Sequence, residues 1–239
     1  MTLRAIKNGF AKGRRQRPAN TTATDPLWND VAVVFNFQGA NGSTTPVDGK
    51  GHPVTYIGGA AISTAVYSEG ALQVINSASK PRVQANSDSP DFELPGDFCL
   101  EIEAYATTGN NPFYNVIFDT AGNGSGAGGF SFELSSIRDA GLVIAGGLRA
   151  GAPSNPNDGV KHRYCFDRNS GTIKFFKDGV QIGSQAYGAG ILSNGLSIGA
   201  FMDGVSTENW TGHIAAVRLT RASRYTANHT PPALPFPEA

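Results

Sequence analysis

The chain is poor in the residues that staple, anchor or activate a protein. Two cysteines in 239 residues, Cys99 and Cys165, exclude a disulfide scaffold. No apolar run approaches the roughly 20 residues of a transmembrane helix. The basic N-terminus has no apolar segment behind it, so no secretory signal is expected. Charged residues make up only 16%, below the usual ~25%, which argues against a wholly disordered chain. Catalytic signatures are also missing. There is no P-loop, and Gly122-x-Gly124 has no helix pattern after it. No Ser/His/Asp arrangement stands out. His52, His162, His213 and His229 lie outside metal-ligand spacing of one another and of either cysteine.

Glycine is abundant, at 30 residues, about twice the usual ~7%, as in folds made of many turns and few helices. Charge is distributed unevenly. Residues 1–17 carry Arg4, Lys7, Lys12, Arg14, Arg15 and Arg17 and no acid, so a net charge of zero leaves −6 on the remainder. Residues 1–24 read as a basic extended arm without a core of its own. Its expected role is contact with an acidic partner surface. No nucleic-acid-binding module accompanies it.

From residue 25 onward the chain reads as short strands with period-two alternation, separated by Asn, Asp and Gly turns. The densest set runs from Lys161 to Thr220. It comprises Lys161–Arg168, Thr172–Lys177, Val180–Gly183, Leu196–Gly199 and Gly212–Thr220, with turns at Asn169-Ser170-Gly171 and Asp178-Gly179. This set is expected to form one sheet, with the rest of the chain closing a second over it. Upstream strands are expected at Val31–Phe37, Val54–Ile57, Ala71–Ile75, Phe98–Tyr105, Tyr114–Asp119, Phe130–Leu134 and Gly141–Ala145. Pro81–Gln84 reads as an edge strand because proline cannot donate to a central ladder. Gly146–Gly159 reads as a loop, and the Pro-rich end from Pro231 as an extended covering segment. Phe98, Leu100 and Ile102 should point inward. Cys99 and Cys165 fall out of phase with the large apolar residues of their strands, which puts both on an outer face. They could pair only if their strands are neighbours, and free thiols are the expectation.

Several of these stretches resemble a known family. Gly171-Thr172-Ile173-Lys174-Phe175-Phe176 with Asp178-Gly179-Val180, the strand beginning Gly96-Asp97-Phe98, and Trp210-Thr211-Gly212-His213-Ile214 through Thr220 are similar to laminin-G-like, concanavalin A-like jelly-roll domains. The tail Arg224-Tyr225-Thr226 through Pro231-Pro232 and Pro235-Phe236-Pro237 resembles a suffix found on copies of this domain in bacteriophage structural proteins. Asp25-Pro26-Leu27-Trp28 and Gly39-Ala40-Asn41-Gly42 resemble their beginning. The resemblance implies an all-β, two-sheet antiparallel sandwich over residues 25–239, carried behind the arm of residues 1–24. It further implies a non-enzymatic virion protein, as capsid decoration or a tail component. The arm would then contact other virion proteins or lattice neighbours in a homo-oligomer. The alternative is a carbohydrate-binding adhesion module for cell-surface polysaccharide.

Site candidates follow from residue type. Glu101 and Glu103 lie two apart on one strand face, as in jelly-roll glycosidases. A third acid is missing at Ala106, so the pair reads as polar residues on a solvated sheet face. Tyr114 with Asn110 and Asn111, and then Tyr187, are the candidates for sugar stacking. Trp28 and Trp210 read as structural anchors. No cofactor is expected; Asp119, Asn123, Asp203 and Asn209 are the oxygen donors that calcium would use if it were bound.

Overall fold

The computed structural model describes residues 24–75, 77–85, 89–107, 115–120, 129–134, 140–144, 147–152, 158–193, 195–204 and 210–238. The arm cations Arg4, Lys7, Lys12, Arg14, Arg15 and Arg17 lie outside these residues.

Among the described residues fifteen strands form two antiparallel sheets. In chain order they are β1 (Val31–Asn36), β2 (Val54–Ile57), β3 (Ala61–Ser63), β4 (Ala71–Val74), β5 (Arg82–Ala85), β6 (Phe98–Ala106), β7 (Asn115–Asp119) and β8 (Phe130–Leu134). These are followed by β9 (Ala140–Ile144), β10 (Gly147–Ala152), β11 (Lys161–Asn169), β12 (Thr172–Lys177), β13 (Val180–Ala186), β14 (Leu196–Ile198) and β15 (Gly212–Thr220). Sheet A has the order β13-β12-β11-β6-β15-β4-β3, with β1 also on β15, and sheet B the order β10-β9-β8-β7-β14-β5-β2. Among the described residues the only helical pieces are two three-residue 3-10 turns, Trp28–Asp30 and Pro90–Phe92. This is the expected two-sheet β-sandwich.

The core lies between the sheets. From sheet A, Phe98, Leu100, Ile102, Phe166, Ile173 and Phe175 point inward; from sheet B, Phe118, Phe130 and Phe132 meet them. Phe98 stacks on Phe130 at 5.9 Å, and Phe166 lies 4.9 Å from Phe132 and 4.4 Å from Phe175. Each such side chain stabilises the fold by about 1.5–3 kcal/mol through burial alone. Trp210 is fully buried in this core, as an anchor should be. Trp28 is partly buried, with Lys50 Nζ 4.3 Å from its ring centroid.

Four expectations need correction. The Lys161–Thr220 set does not make a single sheet: β14 crosses to sheet B, while β1, β3, β4 and β6 complete sheet A. β5 is not an edge, since it pairs with both β2 and β14. Pro81 precedes its first ladder residue and costs it no donor. β3 was not foreseen. β10 falls in the Gly146–Gly159 stretch read as a loop and pairs with β9.

The register of sheet A sets out rows of residues on its outer face. One row is Lys161, Tyr105, His213 and Gln73. The next is Arg163, Glu103, Ala216 and Asn36, and the next Phe176, Cys165, Glu101, Arg218 and Val34. Asp167, Cys99 and Thr220 follow. A covering strap, residues 221–238, lies over these rows without helix or strand, as its prolines led one to expect. It is threaded to β13 and to the β12–β13 turn, where Gln181 N donates to Asn228 Oδ1 at 2.8 Å and His229 N to Gly179 O at 2.9 Å. Gly179 has φ +80° and a Cβ there would lie 1.9 Å from His229 O. Glycine is therefore needed both for the turn and for the strap's approach. At its far end, Phe236 N donates to Asn36 Oδ1 at 2.8 Å, and Asn36 Nδ2 donates to Phe236 O at 3.0 Å.

Candidate functional site

The outer face of sheet A is where the polar residues of this sequence gather, and the strap divides it into two environments. Under the strap, Arg218 Nε donates to Glu101 Oε2 at 2.7 Å and Arg218 Nη1 to Asp25 Oδ2 at 2.8 Å. Arg224 grips the same Asp25 with both terminal nitrogens, at 3.0 and 2.8 Å. Tyr225 Oη donates to Glu101 Oε1 at 2.8 Å. Asp167 accepts from Ser223 Oγ at 2.6 Å, from Arg224 N at 2.6 Å and from Tyr225 N at 2.9 Å. Burial alone would raise the Asp25 carboxyl, but Arg224, the Leu27 amide and Arg218 together hold it below the usual carboxylate range. For Asp167 burial outweighs its hydrogen bonds and the carboxyl is raised.

The solvated reading of Glu101 and Glu103 is therefore corrected. Glu101 is 3% exposed, and Glu103 is half-buried and paired with Arg163. Both carboxylates are neutralised by arginine, which leaves no free acid and nucleophile on this strand. Cys99 and Cys165 do share the outer face on neighbouring strands, offset diagonally by one row, with Sγ atoms 3.4 Å apart. Both are free thiols, packed with Phe176 and Tyr225, and burial pushes both above the ordinary thiol value.

Beyond the strap's edge the face opens. A register shift in β15 between Ile214 and Ala216 is a bulge that turns both Ala215 and Ala216 outward. Two alanines on a floor otherwise made of large residues leave a cleft of about 170 Å³. Its walls are strap residues Leu234 and Pro235 on one side and residues 67–70 on the other. Gly70 shapes that second wall. Its φ is +105°, and a Cβ there would come within 2.9 Å of the Gly39 backbone. The close approach lets Gly39 N donate to Glu69 O at 3.0 Å, which sets Glu69 beside Gln38 at the rim.

Tyr67 is the centre of the cleft. Its ring packs on Ala71, Ala215 and Leu234, and Lys161 Nζ lies 4.2 Å from the ring centroid. Its hydroxyl is buried and has no hydrogen-bond partner among the described residues. Burial pushes the phenol well above its ordinary value, Glu103 adds to the shift and Arg163 opposes it, so it stays a donor. Neither the Glu69 carboxylate nor the Gln38 amide has a partner among the described residues. One row away, His213 is 6% exposed, and neither ring nitrogen has a partner among the described residues.

The sequence candidates fall elsewhere. Asn110, Asn111 and Tyr114 lie outside the described residues. Tyr187 is partly buried against the main core and forms no part of the cleft. Of the calcium donors, Asn123 and Asn209 also lie outside. Asp119 is buried and accepts from Met202 N at 2.9 Å, and Asp203 is exposed beside Arg82. Among the described residues no three His, Cys, Asp or Glu side chains group to hold a metal ion. Tyr67 and Glu69 were not singled out from sequence. Their only local signal is a Tyr-Ser-Glu-Gly turn whose glycine is required.

No family model matches the chain, and a search of curated proteins finds no match. Solved structures do share the fold. The binding domain of Paraclostridial Mosquitocidal Protein 1 superposes with a TM-score of 0.62 at 10% identity, over 83% of this chain and 50% of that one. A botulinum neurotoxin type C structure gives 0.56 at 13% identity, over 83% and 49%. The Trypanosoma rangeli sialidase in complex with sialic acid gives 0.58 at 9% identity, over 82% and 31%. The chain thus spans about half or less of the length of these proteins.

Proposed function

We propose that the sandwich is a non-catalytic carbohydrate-binding module and that the cleft beside Tyr67 is its sugar site. One observation carries this reading: a buried tyrosine hydroxyl without a partner among the described residues lines the same cleft as the exposed Glu69 carboxylate and Gln38 amide. An aromatic ring with convergent polar groups is how sugar hydroxyls and their apolar faces are recognised together. Support also comes from the company the fold keeps. The botulinum type C structure is described by an interaction with two ganglioside molecules, and the sialidase by its complex with sialic acid. The test is binding of the whole chain to an immobilised panel of acidic and uncharged glycans, repeated with Ser68→Trp, which places a large ring at the cleft mouth. Retention on at least one glycan, lost in the variant, supports the reading. No retention on any glycan sinks it.

A second reading places the module in a virus particle, with residues 1–24 contacting neighbouring subunits through Arg14, Arg15 and Arg17. It rests on the motifs at both ends of the sandwich and is compatible with adhesion to surface polysaccharide. Quantitative mass spectrometry of purified particles tests it: absence of the chain from them overturns it.

A further inference from the structure

Resting on the carbohydrate reading above, we infer that the cleft takes an uncharged, hydroxyl-rich sugar ring and rejects carboxylate-bearing sugars such as sialic or uronic acids. The argument is one of charge and of which donors are free. An acidic sugar needs a cation to meet its carboxylate, and the best is an arginine fork. Among the described residues no arginine lines the cleft, and Arg163, the partner of its Glu103, is committed. It donates to Glu103 and to Pro232 O, and its guanidinium faces the Phe236 ring at 5.6 Å. Lys161 is the remaining cation, and it is held over the Tyr67 ring. With Glu103 taken up by Arg163, the charges left at the cleft among the described residues are one carboxylate, Glu69 at the rim, and one cation, Lys161, so no net positive charge draws an acidic ligand in. The same balance of Lys161 against Glu69 gives a ligand carrying an ammonium group no advantage either.

An uncharged ring satisfies what is there. The Glu69 carboxylate accepts only, so it calls for ligand hydroxyls as donors, and two adjacent hydroxyls match its two oxygens. Gln38 both donates and accepts. Tyr67 Oη offers a proton that no described residue takes up. The cavity, about 170 Å³, is below the roughly 300–1,000 Å³ of pockets for drug-sized ligands, which suits a single ring at the end of a chain.

The experiment is a glycan array on the full chain, with matched termini that are uncharged, sialylated or uronic. Titration calorimetry on the best binder follows, with Glu69→Gln and Tyr67→Phe. Both variants keep the shape of the side chain, and neither breaks a bond within the described residues. Their melting temperatures should stay at the wild-type value, so lost binding is not lost folding. The expected result is binding to uncharged termini, weakened at least tenfold by Glu69→Gln and several-fold by Tyr67→Phe. Binding to acidic termini alone overturns the inference and leaves the carbohydrate reading standing. Uncharged binders indifferent to both variants also overturn it, since the site then lies elsewhere. No binding to any glycan overturns both.

Discussion

At one end of the outer face of sheet A, Asp25, Glu101, Arg218, Arg224 and Tyr225 satisfy one another beneath the strap. At the other end Tyr67 and His213 are buried with polar atoms that no described residue satisfies. The two ends share the same strands, β6, β11 and β15, so the ladder beneath them does not differ. What differs is the cover. Residues 221–225 bring their own donors down onto Asp25, Glu101 and Asp167, whereas the strap reaches the Tyr67 end only with the apolar flank of Leu234 and Pro235. Buried polar groups left without partners cost free energy. Among the described residues the covered end keeps one such atom, His229 Nδ1 in the strap, whereas the open end keeps the Tyr67 hydroxyl and both His213 nitrogens, and that concentration marks the open end as the place for a ligand.

The largest expected effect breaks the sealed end. Arg218→Leu leaves two carboxylates, Asp25 and Glu101, in a place 1–4% exposed. Breaking a buried ion pair from one side costs about 3–5 kcal/mol, read as a fall in the urea midpoint at unchanged slope. A loss below ~1 kcal/mol would mean that the network is not what holds this face. Opening the strap should also make Cys99 and Cys165 react with an aromatic disulfide reagent, which they resist in the wild type.

Tyr225→Phe is the milder version. It deletes the donor to Glu101 Oε1 and leaves that oxygen buried, at a cost of about 1–3 kcal/mol. A stability equal to wild type would show that the Glu101 oxygen has found another donor and that the face is less tightly specified than its geometry says.

His213 gives the open end a signature in pH. Burial lowers its pKa, so the folded chain prefers the neutral ring while the unfolded chain titrates near ~6.5. Below that value the unfolded state binds the extra proton first. His213 therefore leaves stability intact above about pH 6.5, and takes it away as pH falls toward the depressed folded value. His213→Leu should flatten the stability curve between pH 7.5 and 5 relative to wild type, with the carboxylates common to both chains cancelling. Parallel curves for the two would refute the assignment.

How much of this was legible in the sequence depends on how far apart the interacting residues lie. Thr172–Lys177 and Gly212–Thr220 were read with correct bounds because bulky residues alternate along them and glycine turns flank them. β3 and β10 were missed because Ala61–Ser63 is only three residues long and Gly147–Ala152 is mostly Gly and Ala, which carry little strand signal. The phase of Cys99 and Cys165 placed both on the outer face. The cover of that face was the hidden part. Glu101 and Arg218 alternate with apolar residues just as a solvated face would, and their partners Asp25 and Arg224 come from opposite ends of the sandwich. The cleft was hidden for a similar reason, since it needs a bulge at Ala215–Ala216, a glycine turn after Tyr67 and the strap's Leu234 to meet.

The smallest expected effect is the sharpest test of the comparison. Tyr67→Phe removes the same atom as Tyr225→Phe, from a more deeply buried side chain on the same sheet face. In the sealed end the hydroxyl serves Glu101. In the open end it serves no described residue, so its removal strips no hydrogen bond among them and takes away a desolvated polar group. The ring, its packing on Ala71 and Ala215 and the Lys161 contact all remain. Stability should stay within about 0.5 kcal/mol of wild type, as for substitutions that touch no structural feature, and a slight gain agrees with the argument. A loss of 1 kcal/mol or more would show that the hydroxyl has a structural partner and that the two ends do not differ as described. Equal stability with weakened glycan binding would separate the two roles in one variant: the sealed tyrosine holds the fold, and the open one holds the ligand.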